Sequence, residues 1–455
     1  MGARGPSVLD NALTHYYDRV QTALHRVAES RRADARKDFS PGPLLTPPTD
    51  RFRAYVSVSG LAATEAGEHH GVRLTLLDLM RNPGTRTTKT MASLVIVARA
   101  AHHVRETGER LMLLTPSSAN KATALRDAVL RAVDHGLVTR DGLRVACVVP
   151  EESAHKVWRS RLSDDPELRR RNPVLVHAGS GAAVKALAGE AAGDAAARIR
   201  HLTGVRVWHT LDLDNYRAAD TVRAYFEDEY LPPRDGRVRW HSHAVSSAFG
   251  LLGHHLGTRL LAREKIGSGA ARPSPGYLLV QHLATPDMVL GLHRDGGLPA
   301  YGLDRGSGLF TQAANPRFPA AADDPSESID PTFYTKTPAT APAMSEIVRT
   351  QGGGGLVVSR HECLARYARV RALVAPAGIQ LPSDPARLRE WSLVMVVTGT
   401  LLAVERGLVE ADEVVVHGSG SYTADDFAPL PAAALRPVGS VTDVADALHA
   451  AAAAR

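Results

Sequence analysis

The stretch NPGTRTTKTMAS (82–93) sets one lysine among threonines, behind a Pro-Gly turn and ahead of an apolar helical pattern of Met91, Leu94, Val95, Val97 and Ala98. The preceding VRLTLLDLM (72–80) reads as a strand. Lys89 therefore falls where a strand and turn give way to a helix. A cation there meets the positive end of the helix dipole, which is mildly unfavourable. This favours chemistry, as a nucleophilic amine or a proton carrier, over the alternative of a solvated lysine at a helix start. A second such place is VSSAFG (245–250), ahead of LLGHHLGTRLLA. Ser246, Ser247, Ala248, Phe249 and Gly250 lead into a helix whose free N–H groups make a ready phosphate site; the plainer reading is a serine cap with a glycine turn. Gly352 to Gly355 offer a competing phosphate loop. The pairs His241/His243 and His254/His255 suggest metal ligands, and His-x-His on a strand puts two on one face. No third histidine or carboxylate is placed beside them, so no metal is expected.

Strands alternate with helices along most of the chain. RLMLLTP, LRVACVVPE, PVLVHAG, VRVWHTL, GYLLVQHLA and DEVVVHG read as strands; KATALRDAVLRAVDHGL, HKVWRSRL, GSGAAVKALAGEAAGDAAARIRHL, AADTVRAYFEDEYL and LREWSLVMVVTGTLLAVERGL read as helices. This spacing predicts an α/β architecture with a mostly parallel sheet. Residues 304–342, rich in Pro, Asp, Ser and Ala, read as a long loop or flap over a site. At 455 residues the length corresponds to roughly three domain-sized units.

The net charge of +6 is spread among interleaved acids, as in RRADARKD, so no nucleic-acid partner is expected. Two cysteines, Cys147 and Cys363, cannot build a disulfide framework. Neither a signal peptide nor a membrane span is read, and a cytoplasmic protein is expected.

The order of the motifs resembles the pyridoxal-phosphate (PLP) enzymes of fold type II, the tryptophan-synthase-β-like class, and within it threonine synthases. NPGTRTTKTMAS is similar to the family's NPTGSFKDR, with one extra residue. LMLLTPSSANKATALRDAV is similar to its strand and SSGN turn, and ACVVPEES to its PEG turn. LDNYRAADTVRAYF, VSSAFGLLGHHLG, GGGGLVVSRHE and EVVVHGSGSYTADDF follow in the family's order, and the resemblance spans residues 44–427. It departs at Thr90-Met91, where the family has Asp-Arg, and in the phosphate turn, which lacks a glycine and an asparagine.

What the resemblance implies is specific. The fold would be two three-layer α/β/α domains with the cofactor cleft between them. The large domain would take 51–100 and 205–430 with the flap at 304–342, the small one 101–204, with a helical extension at 1–50 and a terminal helix at 431–455. Lys89 would hold PLP as a Schiff base and act as acid and base at Cα. Asn120 would bond the cofactor's ring oxygen, and Ser246 to Gly250 would cradle its phosphate. His417 or Ser419, or Ser421 if the loop shifts, would face the pyridine nitrogen. Thr88, Thr90, Ser117 and Ser118 would meet the substrate. The implied activity is β- or γ-elimination or replacement on a small amino acid, in specialised metabolism, by a homodimer. The alternatives are a degenerate, non-catalytic binding or scaffold protein and an enzyme of this fold working without PLP.

Overall fold

Strand segments such as LRVACVVP and EVVVHG are apolar on both faces, as a parallel sheet covered by helices on each side requires. In the computed structural model, which describes residues 5–31, 39–211, 213–232, 236–247, 249–264, 274–294 and 296–454, these strands form two such sheets. The chain divides into two units. One comprises Met1–Leu9, Gly60–Arg81 and Arg223–Ala424; the other comprises Asp10–Ser59, Asn82–Val222 and Asp425–Arg455. The division cuts at Arg81/Asn82 and Val222/Arg223, so the Lys89 helix counts with the second unit, whereas the sequence grouping sets 51–100 with 205–430.

The first unit is built on a seven-stranded sheet, in the order Ser7–Leu9, Leu61–His69, Val72–Asp78, Glu413–Gly418, Arg239–Ala244, Gly276–His282 and Gly353–Val358. The last five strands run parallel, and the first two join antiparallel at the edge. Glu413–Gly418 is central and wholly buried, and its register sets His417 beside Leu77 on one side and His243 on the other. The helix Ser392–Glu405 is apolar on every side and packs across this sheet, as an all-round hydrophobic helix must. Gly352–Gly355 does not form a loop. From Gly353 it is a strand laid so close to the next that a Cβ on Gly353, at φ +134°, would stand 2.1 Å from the Tyr277 carbonyl oxygen.

Residues 304–342 depart from the expectation of a structureless loop. Strands Gly302–Leu303, Phe310–Thr311 and Ala321–Ala322 form a small antiparallel sheet, and Phe318, Ala322, Ile329 and Phe333 are buried in the unit's core. Asp330, fully buried, accepts the Trp391 N–H and the Thr332 hydroxyl. The buried positions follow no helical or strand period, so periodicity cannot reveal them.

The second unit has a five-stranded parallel sheet, ordered Leu435–Pro437, Val174–His177, Leu143–Pro150, Arg110–Pro116 and Val205–His209. Helix Gly181–Thr203 and the terminal helix Val441–Ala453 cover one face with an alanine-rich seam. Helix Lys89–Thr107, buried continuously from Thr90 to Ala101, packs with helix Asn120–Asp134. The HKVWRSRL segment yields only the single turn of helix Arg161–Asp164. Among the described residues, no helix is long and apolar enough to cross a membrane.

Candidate functional site

The Lys89 turn is held by side chains that bond one another. Asn82 donates to Asp127 at 2.9 Å and to the Thr90 hydroxyl at 3.3 Å, while its carbonyl oxygen accepts the Gly84 N–H at 2.9 Å. Thr85 and Thr90 share a hydrogen bond of 2.6 Å. Burial pushes the Asp127 carboxyl up from its ordinary range, against the opposing effect of Asn82 and Arg131. Lys89 is the first residue of its helix, half-buried, with its ammonium 5.7 Å from the Tyr216 ring centroid. The Lys121 ammonium lies 5.5 Å from the same ring and donates to the Thr210 carbonyl at 2.7 Å. A second cation and a buried aromatic face beside Lys89 were not read from sequence, although Lys121 directly follows Asn120 and Tyr216 lies in the LDNYR segment.

The other predicted residues of this unit take varied places. Thr88 is half-buried at the helix start and makes no capping bond. Thr90 is buried, its hydroxyl engaged within the turn. The Ser117 hydroxyl accepts the Ala122 N–H at 2.8 Å, which caps helix Asn120–Asp134. Ser118 and Asn120 are half-buried at the head of that helix. Between them Ala119 has φ +90° and ψ −55°, the dihedrals of the rare, strained kind of γ-turn. Its side chain is fully buried.

The first unit carries the second group. Ser246 and Ser247 are half-buried just after strand Arg239–Ala244, and helix Phe249–Glu264 begins two residues on. Ala248 lies outside the described residues. The Ser247 hydroxyl is 3.4 Å from that of Thr335, and its carbonyl accepts the Thr340 hydroxyl at 2.8 Å. The decisive neighbour is Arg223. Its guanidinium lies where a Cβ on Gly250 would be, 2.5 Å from Nη1 and 2.8 Å from Cζ, and it is almost wholly buried. A helix N-terminus, two serines and a buried guanidinium make an anion site with both dipole and charge.

His417 is spent differently from expectation. Its Nδ1 accepts from Arg223 at 3.3 Å and its Nε2 bonds His241 Nδ1 at 2.9 Å, so both ring nitrogens are engaged. Burial, then the neighbouring histidines and Arg223, hold its pKa well below the ordinary value, which keeps the ring neutral. Ser419, half-buried one residue past the strand end, is the other predicted partner for a pyridine nitrogen. Where the sequence placed no further ligand beside His241, the structure sets Glu227 and His254. Arg223 and Glu227 were missed because both sit in VRAYFEDEY, which reads simply as a helix.

Taken one unit at a time, the second unit offers an amine on an over-determined turn, as an aldehyde cofactor needs, and the first offers a helix N-terminus with two serines and an arginine, as a phosphate needs. A protein-family model described as a family of unknown function (DUF6002) matches residues 8–452. No curated protein matches the sequence. Among solved structures, PLP-bound threonine synthase from Brucella melitensis is similar at 12% identity and TM-score 0.54, over 95% of this chain and 88% of that one. Threonine synthase from Escherichia coli is similar at 14% identity and TM-score 0.53, over 82% and 77%. A PLP-dependent aspartate racemase is similar at 13% identity and TM-score 0.51, over 90% and 98%. The fold is that of the type II PLP enzymes, as the motif order implied.

Proposed function

The chain belongs to the family of unknown function DUF6002, and we propose that it is a PLP-dependent enzyme of the threonine-synthase-like kind, catalysing β- or γ-elimination or replacement on a small amino acid. The observation that carries this reading is Lys89, the first residue of a buried helix, on a turn locked by Asn82, Asp127, Thr85 and Thr90 and beside the Tyr216 ring. PLP, when bound, supplies an electron sink for charge at the substrate Cα. Lys89 would anchor the cofactor and carry the proton at Cα. Arg223, the Ser246 and Ser247 hydroxyls and the N–H groups at the head of helix Phe249–Glu264 would hold the phosphate. Asn120 would meet the ring oxygen, with Thr88 and Ser118 on the substrate side.

The proposed reaction type rests on the strand Glu413–Gly418 and its loop. The carboxylate of Glu413, at the far end of the strand, is bound by Arg239 and Arg73. Glu390, the carboxylate packed beside Gly420, accepts the Ser392 N–H and hydroxyl, so Ser419 would meet the pyridine nitrogen with a hydroxyl. That arrangement favours departure of a leaving group from Cβ or Cγ over transamination. On the same reading the enzyme is a cytoplasmic homodimer in specialised metabolism, and two buried free thiols, Cys147 and Cys363, suit a reducing compartment.

The test is direct. The full chain is incubated with PLP, its visible spectrum recorded, and the complex reduced with borohydride and mapped. A covalent adduct at Lys89, with release of the leaving group from O-phospho or O-acyl amino acids, supports the proposal. An adduct at Lys121 instead, no adduct at saturating PLP, or steady accumulation of pyridoxamine phosphate with an unmodified keto acid refutes it.

A further inference from the structure

We propose that Glu227, His241 and His254 form a site for one divalent transition metal, zinc by ligand type. The three come from separate elements of the first unit: helix Val222–Tyr230, strand Arg239–Ala244 and helix Phe249–Glu264. One ligand atom from each lies within 4.8 Å of the others. His254 Nε2 is 2.7 Å from Glu227 Oε2, and His241 Nε2 is 3.3 Å from Glu227 Oε1. Ligands bound at about 2.1 Å in a tetrahedral array stand about 3.4 Å apart, so small adjustments suffice. Both imidazoles are buried, and His241 Nε2 lacks a hydrogen bond of good geometry. Two histidines and a glutamate are the three-ligand set that leaves a fourth position open for water or substrate.

The surroundings distinguish this from a chance cluster. Each ligand's remaining polar atom is held by an outer partner, the arrangement that orients metal ligands. Glu227 Oε1 accepts from Arg239 at 2.6 Å, and Arg239 is paired in turn with Glu413. His254 Nδ1 bonds the Tyr277 hydroxyl at 2.9 Å, and His241 Nδ1 bonds His417 Nε2 at 2.9 Å.

Proton positions add a condition. Metal on Nε2 requires the proton on Nδ1 of each histidine. Tyr277 can accept from His254 by turning its hydroxyl. His241 would donate to His417 Nε2, which moves the His417 proton to Nδ1, facing the Arg223 guanidinium at 3.3 Å. Arg223 must then swing toward the head of helix Phe249–Glu264, against which it already packs at Gly250. An anion bound there draws Arg223 the same way. Anion and metal therefore favour each other, by the same factor in each direction. This coupling concerns any phosphate and does not depend on the PLP reading.

The experiment uses the full chain, stripped with chelator and titrated with zinc chloride, with metal content measured by mass spectrometry and cobalt(II) absorbance as a geometry probe. One equivalent per chain is expected. Glu227→Gln and His254→Gln should abolish retention, and Tyr277→Phe should weaken it about 10- to 100-fold. His243→Gln should retain metal, because His243 lies against His417, tilted, with ring centroids 3.9 Å apart, outside the ligand set. Inorganic phosphate should tighten zinc binding in the wild type but not in Arg223→Met. Circular dichroism on each variant separates loss of ligand from loss of fold. No zinc bound by the folded wild type, equal retention by folded His254→Gln, or an affinity indifferent to phosphate would each overturn the site.

Discussion

Adding one methyl group at Gly250 tests how the anion site is built. A Cβ there stands 2.5 Å from Arg223 Nη1 and 2.8 Å from Cζ and Nη2. All three nearest atoms belong to the Arg223 guanidinium, so what shifts in Gly250→Ala is that group. Its bond to His417 Nδ1 is a hydrogen bond from a charged donor, worth about 1.5–3 kcal/mol. Alanine over glycine in the first helical turn returns at most about 1 kcal/mol. The net cost to stability is about 0.5–2 kcal/mol, read as a lower denaturant midpoint. The effect on binding is larger. An arginine displaced from a phosphate loses a bond of about 1.5–3 kcal/mol, which raises the Kd for PLP or inorganic phosphate roughly 10- to 150-fold. Calorimetric titration of wild type, Gly250→Ala, Arg223→Met and the double variant measures this. Since the methyl group acts through Arg223, the double variant should bind no more weakly than Arg223→Met alone. Wild-type affinity in Gly250→Ala, or losses that add in the double variant, would refute the reasoning.

Ala119→Gly should stabilise the chain by about 1 kcal/mol in denaturant unfolding, because glycine adopts φ +90° without strain; a destabilised variant would show that the buried methyl group matters more. His243, His254 and His417 all have pKa values depressed below 6.5 by burial. The unfolded chain therefore binds more protons below that pH, and stability should fall by up to about 4 kcal/mol between pH 7.5 and 5.5, at about 1.4 kcal/mol per histidine; a midpoint that stays level over this range would contradict it. Limited proteolysis should cut first at the exposed residues 304–308 or around the exposed Asp323, Asp324, Ser326 and Ser328, and bound ligand should slow the cut. First cutting at the buried Ile329, Asp330, Thr332 or Phe333, or elsewhere with this segment protected, would count against a flap.

The strand-helix alternation and the Lys89 turn were legible because each is written locally, in runs of 4 to 23 residues with their own period. The same locality misleads at Gly352–Gly355, where four glycines suggest a loop. There, close approach of a neighbouring strand at Tyr277 is what glycine permits. Arg223 and Glu227 carry no local signal, since their roles exist only once helix Val222–Tyr230 lies against the strands bearing His241 and His417. The third and fourth partners of the His-x-His strand stand 14 residues before and 13 after His241, on two helices whose packing no spacing rule encodes. His417 was found by its place at the strand end. Its engagement by Arg223 and His241 depends on three elements at once.

The two turns of the second unit reach rigidity by different means. Around Lys89, Asn82, Asp127, Thr85 and Thr90 satisfy one another, so four polar side chains serve the shape of a loop. Buried polar groups cost free energy unless paired, and a network closed on itself removes that cost while fixing the backbone that bears the lysine. The Thr90 hydroxyl is spent in this framework, so of the two threonines beside Lys89 only Thr88 is left for the substrate-side role proposed above. At the head of helix Asn120–Asp134 the same end is met by strain at Ala119, with Ser117 capping the turn. A hydrogen-bonded turn resists displacement through its bonds, whereas a strained one relaxes as soon as its surroundings loosen. Substitutions that loosen the second unit should therefore move Asn120 before they move Lys89; on the roles proposed for them, cofactor orientation would be lost before cofactor attachment.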